Sequence, residues 1–292
     1  MTSGVLHASI AYAMWGLLPL YFHALAAVAP IDVVLHRSLW SLAFVGVLLA
    51  VLHRWEWLRD MVRSPRALGT FALSALLLSS NWLIYVWAVH QGRVVDASLG
   101  YFITPLVNVV LGYFVLHERP RPVQWIALGI AAAGVLWLTV AAGSLPWVGL
   151  ALAATFGLYG LMRKMSRLGA LEGLSLETAL LAPLAAGLLA WRSSQGGGTH
   201  GLDASVMGLL ALSGPLTALP LLLFAAGARR MPLTTLGVLQ YISPTVQFVL
   251  GVWLFNEPLG GSRLAGFMLI WLALVIYTAE GLVAMRKPPV ER

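Results

Sequence analysis

The sequence predicts an all-α integral membrane protein: ten transmembrane helices in two inverted five-helix repeats, with both termini cytoplasmic. Three observations predict it. The composition is too apolar and too poor in charge for a soluble body. The Lys and Arg residues alternate in density along a ten-span path, and a Pro/Gly/Glu motif recurs five spans further on.

Of the 292 residues, 60% are hydrophobic and 10% charged, whereas a soluble domain carries about 25% charged residues. The mean hydropathy of +0.85 agrees. A net charge of +7 would suit a nucleic-acid binder, but the 18 basic residues form short clusters between apolar runs and no basic face. The absence of cysteine excludes disulfides and thiolate metal sites. The seven histidines are scattered without metal-ligand spacing, so neither metal nor cofactor is expected.

A membrane helix needs about 20 apolar residues, because lipid offers its backbone no hydrogen bonds. No charged residue occurs between Met1 and Ile31, which gives a first span at 4–24, read as uncleaved rather than as a signal peptide. The uncharged run 38–53 is short. Extending it back to 32–52 takes Arg37 into the membrane. Spans at 67–90 and 94–116 follow directly. The run 122–162 is too long for one helix and is broken by Gly143-Ser144-Leu145-Pro146, giving 122–141 and 146–162. The last four spans are 174–191, 205–228, 233–255 and 263–284.

The positive-inside rule tests this path. With the N-terminus inside, the cytoplasmic segments hold Arg54, Arg59, Arg63 and Arg66, then Arg119 and Arg121, then Arg163, Lys164 and Arg167. Arg229 and Arg230, and finally Arg286, Lys287 and Arg292, complete them. The outer loops hold only Arg93, Arg192 and Arg263. A missing or extra helix would scramble that alternation. The aromatic and basic run from His53 to Arg59 reads as an interfacial anchor. The loop Gln195-Gly196-Gly197-Gly198 lacks the Gly-Lys-Ser/Thr of a phosphate-binding loop.

Pro105 to Glu118 and Pro244 to Glu257 both read P-x-V-x-x-V-L-G-x₅-E, at an offset of 139. Upstream, Ser98-Leu99-Gly100 matches Thr235-Leu236-Gly237 at an offset of 137. The motif lies on the fourth and ninth spans, so the unit is five helices, divided at 1–141 and 142–292. Successive copies of an odd-numbered unit enter the bilayer in opposite senses. Such inverted repeats are typical of secondary transporters.

Ser98, Tyr101, Thr104, Asn108 and Gly112 fall on one face of the fourth span, and Gln240, Ser243, Gln247 and Gly251 mark the matching face of the ninth. Polar side chains at this depth face protein or water. Tyr101, Thr104, Asn108, Gln240, Ser243 and Gln247 are therefore candidates to line a substrate cavity, with interhelical hydrogen bonding as the plainer role. Pro105 and Pro244 predict kinks in both spans and are candidate paired hinges. Gly112 and Gly251 read as close-packing sites.

Asn81 and Tyr85 share a face of the third span near Trp82, while Tyr12 and Trp15 lie in the first. Aromatics with a polar edge suit an amphipathic or aromatic solute, so Trp15, Asn81 and Tyr85 join the cavity candidates. Two charged candidates remain. Arg37 either holds a substrate carboxylate or snorkels and pairs with Asp32, the favoured role. Glu177 is a proton site or, as favoured, a helix-start carboxylate. Glu118 and Glu257 read as caps at the ends of their helices. No nucleophile–base pair or carboxylate dyad occurs, so no enzyme is expected.

These residues resemble the EamA family of the drug/metabolite transporter superfamily. The strings Leu35 to Ser41, Asn81 to Val89, Ala97 to Pro105, Gly157 to Gly160 and Thr235 to Pro244 resemble its RarD-like branch, named for chloramphenicol sensitivity. The likeness runs from about residue 4 to 285. One departure is that His117 and Asn256 stand where many members have Gly before the terminal Glu of the motif. The resemblance implies a multi-pass inner-membrane permease, usually an exporter, of small organic metabolites. With the aromatic and amide stripes, amino acids, aromatic ones included, become the first expectation. The alternatives are a broad drug exporter, an uptake permease, or a non-transporting sensor or scaffold. Expected partners are a small-molecule substrate and the lipid bilayer, with no nucleic acid; a monomer is compatible with the sequence.

Overall fold

A computed structural model describes residues 2–53, 55–62, 64–117, 119–166, 168–197, 201–228 and 239–286. Glu118, Thr235-Leu236-Gly237 and the start of the ninth span lie outside them. The described residues form α1 (Thr2–Ala24), α2 (Pro30–Leu52), the short α3 (Glu56–Val62), α4 (Pro65–His90), α5 (Val94–Leu116) and α6 (Pro122–Ala142). There follow α7 (Trp147–Met165), α8 (Ala170–Ser194), α9 (Ala204–Ala228), α10 (Ile242–Val249) and α11 (Gly261–Arg286). A π-helical turn, Leu250–Leu254, continues α10.

Among the described residues, eight helices are long and apolar enough to cross a membrane, and Trp147–Arg163 and Ile242–Leu254 are shorter apolar helices. Their bounds follow local chemistry. Proline opens α2, α4 and α6 at the first helical position, where its missing N–H leaves no hydrogen bond unmade. Gly143, at φ 64°, ends α6 in the left-handed conformation, where the sequence expects the break. The later part of the aromatic–basic run, from Glu56, opens α3, with Trp55 exposed beside it.

The strongest helix contacts join the first five apolar helices to the last five. Helix α1 packs on α9 and α10; in the matching way, α7 packs on α4 and α5. Helix α2 meets α8 and α9, α4 meets α8, and α6 meets α11. Glycines set the closest approaches. A Cβ on Gly16 would lie 2.8 Å from Val246, and one on Gly157 would lie 2.8 Å from Val107. Val107 and Val246 occupy the same place in the repeated motif. The core is thus the seam between two halves, while Trp253 (80% exposed) and Phe114 (68%) project outward.

The two turns that close the repeated motif also agree. His117 and Asn256 take φ of 55° and 52°. This is the left-handed region that glycine occupies most readily, so the backbone keeps the turn despite the departure from glycine.

Candidate functional site

A belt of aromatic rings runs through the seam. Phe22 and Trp82 stand edge to face at 5.7 Å, Trp82 and Tyr85 at 6.1 Å, and Tyr85 and Tyr101 at 5.8 Å. Tyr101 then meets Phe156 at 5.9 Å, and Phe156 meets Tyr159 at 5.9 Å. The last pair is tilted, at 39°, and the other four are edge to face, which suits rings whose faces are electron-rich and edges electron-poor. Asn81 fixes the belt from α4. Its amide N–H groups donate to the Leu152 carbonyl (3.0 Å) and the Thr155 hydroxyl (2.9 Å), and its oxygen accepts from the Tyr101 hydroxyl at 3.4 Å.

Two buried charged residues stand beside the belt. Arg37, 3% exposed, lays its guanidinium over the Trp82 ring, 4.5 Å from the centroid. Glu177, 1% exposed, accepts from the Ser74 hydroxyl at 2.6 Å and the Tyr159 hydroxyl at 3.5 Å, with an Arg163 nitrogen 3.9 Å away. Arg37 is the eighth residue of α2 and Glu177 the eighth of α8. At 1.5 Å per residue, each lies about 10 Å in from its helix start.

Two expectations are corrected here. Arg37 does not pair with Asp32, because Asp32 is held by Arg192 from α8 through two bonds of 2.5 and 2.9 Å. The two helices bring these groups together across 160 positions, and a bidentate fork satisfies both carboxylate oxygens. Glu177 is not a helix-start carboxylate. It points into the seam, two turns beyond the first N–H groups of α8, and its partners come from α4 and α7.

The remaining candidates do not share one surface. Ser243, Gln247 and Trp15 form a second group: the Gln247 amide donates to the Ser243 hydroxyl (3.2 Å) and the Trp15 carbonyl (3.3 Å). Trp15 packs there with Tyr12 and Phe224, and it also borders the core cluster that holds Phe22 and Tyr85. Thr104 is buried and bonds back to the Gly100 carbonyl at 2.9 Å. Asn108 is exposed and lines a cavity of about 380 Å³ with Gly112, Arg119, Gln124 and Tyr277. Gln240 lies half-buried in the turn before α10. Pro105 interrupts the middle of α5, whereas Pro244 falls in the first turn of α10, where its missing N–H removes no bond. Gly251 packs on Val95, as a close-packing site should.

Sequence reasoning passed over several belt members: Phe22, Phe156, Tyr159, Ser74 and Thr155. Tyr159 was within reach, since it sits in the Gly157-to-Gly160 string. Glu257 caps a helix other than its own. Its two oxygens accept from the Val94 (2.5 Å) and Val95 (2.8 Å) N–H groups at the start of α5. Burial raises this carboxyl above its ordinary range, against the lowering effect of those two bonds. Beside it, Arg93, Asp96 and Arg263 help line a cavity of about 400 Å³.

Comparison with known proteins places this arrangement. The profile of the EamA-like transporter family matches residues 2–140. Protein RarD of Streptomyces exfoliatus is 46% identical over 98% of this chain and 91% of its own. A protein named as an uncharacterized transporter in Pseudomonas aeruginosa is 44% identical over 96% of this chain and 94% of its own. Protein RarD of Escherichia coli is 39% identical, with 97% and 96% covered. A crystal structure only 20% identical in sequence shares the fold at a TM-score of 0.64, covering 98% of this chain and 99% of the other. The chain therefore belongs to the EamA-like transporter family, among its RarD-like members, and is a membrane transporter rather than an enzyme.

Proposed function

We propose that this protein is a secondary transporter that exports small organic metabolites, amino acids including aromatic ones foremost, by alternating access of a site in the seam. The observation that carries this reading is the belt itself. Asn81, Trp82, Tyr85 and Tyr101 supply stacking faces and fixed polar edges between the two halves, where an amphipathic solute would be gripped by both.

In this reading, residues 1–141 and 142–292 are two inverted five-helix repeats making ten spans, with both termini cytoplasmic and the chain in the cell's inner membrane. The matched packing of α1 on α10 and α7 on α5, through Gly16 with Val246 and Gly157 with Val107, supports it. So does the shared left-handed turn at His117 and Asn256. Rocking of one half against the other would expose the belt to each side in turn, with Pro105 as a hinge within α5 and Pro244 as a hinge at the start of α10.

The test is efflux of a labelled panel from proteoliposomes: aromatic, branched-chain and other amino acids beside chloramphenicol, with and without a pH gradient. Saturable efflux of amino acids, aromatic members included, is the expected result. Efflux of unrelated drugs alone would replace the substrate class. Efflux of nothing from folded protein would overturn the transport reading.

A further inference from the structure

We infer that Arg37 is the anchor for a carboxylate on the transported solute, held flat against Trp82. This rests on the seam being the transport site and narrows its substrate to solutes carrying an acid group.

The argument begins with an incomplete set of bonds. A guanidinium carries five N–H donors and hydrogen-bonds best to planar oxyanions, two bonds at a time. Arg37 is buried, yet its Nε and Nη1 have no hydrogen-bond partner among the described residues. Each edge of the fork therefore keeps a free donor. The nearby carboxylates are engaged elsewhere: Asp32 is bound by Arg192, and Glu177 by Ser74 and Tyr159. The Glu177 carboxyl acts on Arg37 through space without bonding it, which keeps a cation tolerable at this depth while leaving its donors free.

Two more buried polar atoms, one on the same helix face and one in the aromatic belt, have no hydrogen-bond partner among the described residues. Ser41 stands one turn beyond Arg37 on the same face of α2, and its hydroxyl is buried without a partner. The buried Tyr85 hydroxyl is also unbonded, on a ring 6.1 Å from Trp82. A buried donor left unpaired is costly, and a residue pinned by stacking cannot swing away to find another partner. A carboxylate at the Arg37 fork would complete the set, while the aromatic belt received the rest of the solute.

The experiment has two readouts. The first is ligand-induced melting shift of detergent-solubilised protein with each free amino acid and its carboxamide. The second is proteoliposome efflux of the free acids by wild type, Arg37→Gln and Arg37→Lys. The expected result is a shift with the acid and little with the amide. Efflux should fall about tenfold to a hundredfold in Arg37→Gln and less in Arg37→Lys. Trp82→Phe, which keeps a ring under the guanidinium, should weaken acid binding while keeping its preference over the amide, and it serves if both Arg37 variants misfold. Equal shifts with acid and amide in wild type, or wild-type efflux by a folded Arg37→Gln, would overturn the anchor while leaving the transport reading intact. No efflux by wild type, together with an acid-specific shift lost in Arg37→Gln, would keep the anchor and overturn transport instead. No shift and no efflux would overturn both.

Discussion

Asp32 and Arg37 lie five residues apart on α2, and both are buried. Asp32 is closed off. Arg192 reaches it from α8 and satisfies both oxygens, tying the two helices together at one end of the seam. Arg37 is open, with a ring beneath it and free nitrogens around it. A charge that fastens structure finds its counter-charge within the fold, whereas one kept for a ligand is supported on its face and left bare at its edges. The position of a charge in a span does not separate these cases; the state of its hydrogen bonds does.

The widest gap between the two should appear on removing each charge. Arg37→Gln should reduce transport of acid-bearing solutes about tenfold to a hundredfold with little change in melting temperature, measured as efflux beside thermal unfolding. Asp32→Asn should do the reverse. It removes the counter-charge that Arg192 uses, so the melting temperature should fall while the acid-over-amide preference persists. Adding Arg192→Gln should restore part of the loss, because no uncompensated cation then remains at the seam.

A smaller effect tests the belt's fixed edge. Asn81→Leu leaves the Leu152 carbonyl without the amide's bond and releases the Tyr101 hydroxyl, at a cost of about 1 kcal/mol in unfolding free energy. If the mutant is as stable as wild type but transports poorly, Asn81 belongs with Arg37 as a ligand group and not with Asp32.

The smallest effect is a pH slope. The Glu257 carboxyl is held above its ordinary value of 4.5 by burial, so just above that pH the folded chain keeps a proton that the unfolded chain has lost. Its contribution to stability is therefore full below about pH 4.5 and declines as pH rises through the raised value. Melting temperatures between acid and neutral pH should show this decline in wild type and a flatter profile in Glu257→Gln. The variant should also be less stable throughout, by about 1 kcal/mol for the backbone bond that an amide oxygen cannot replace.

The helices were legible because each is declared by neighbours in sequence: an apolar run, a proline at its start, and a Gly143-type break. The seam was partly legible, since Asn81, Tyr85 and Tyr101 do meet. The rest depended on contacts between distant positions. Nothing near Asp32 announces Arg192, and nothing near Glu257 announces the start of α5. The stripe on the fourth span also misled in part. Thr104 and Asn108 share a face, yet one bonds back to its own helix and the other opens on a separate cavity. Helical spacing identifies a face without saying what lies opposite each turn of it.

The glycine seats have a mechanical consequence. Where α1 rests on Val246 through Gly16, and α7 on Val107 through Gly157, a bare backbone bears most closely on one branched side chain, with the Ser243 carbonyl beside the first and Asn108 and Leu111 beside the second. Knobs and holes would interlock and resist shear; in the proposed rocking, a smooth patch with a valine at its centre would serve as a low-relief bearing, matched on the two halves. A leucine at Gly16 or Gly157 would be a wedge in that bearing, forcing the neighbouring helix outward and arresting tilt at one pivot while its counterpart stayed free.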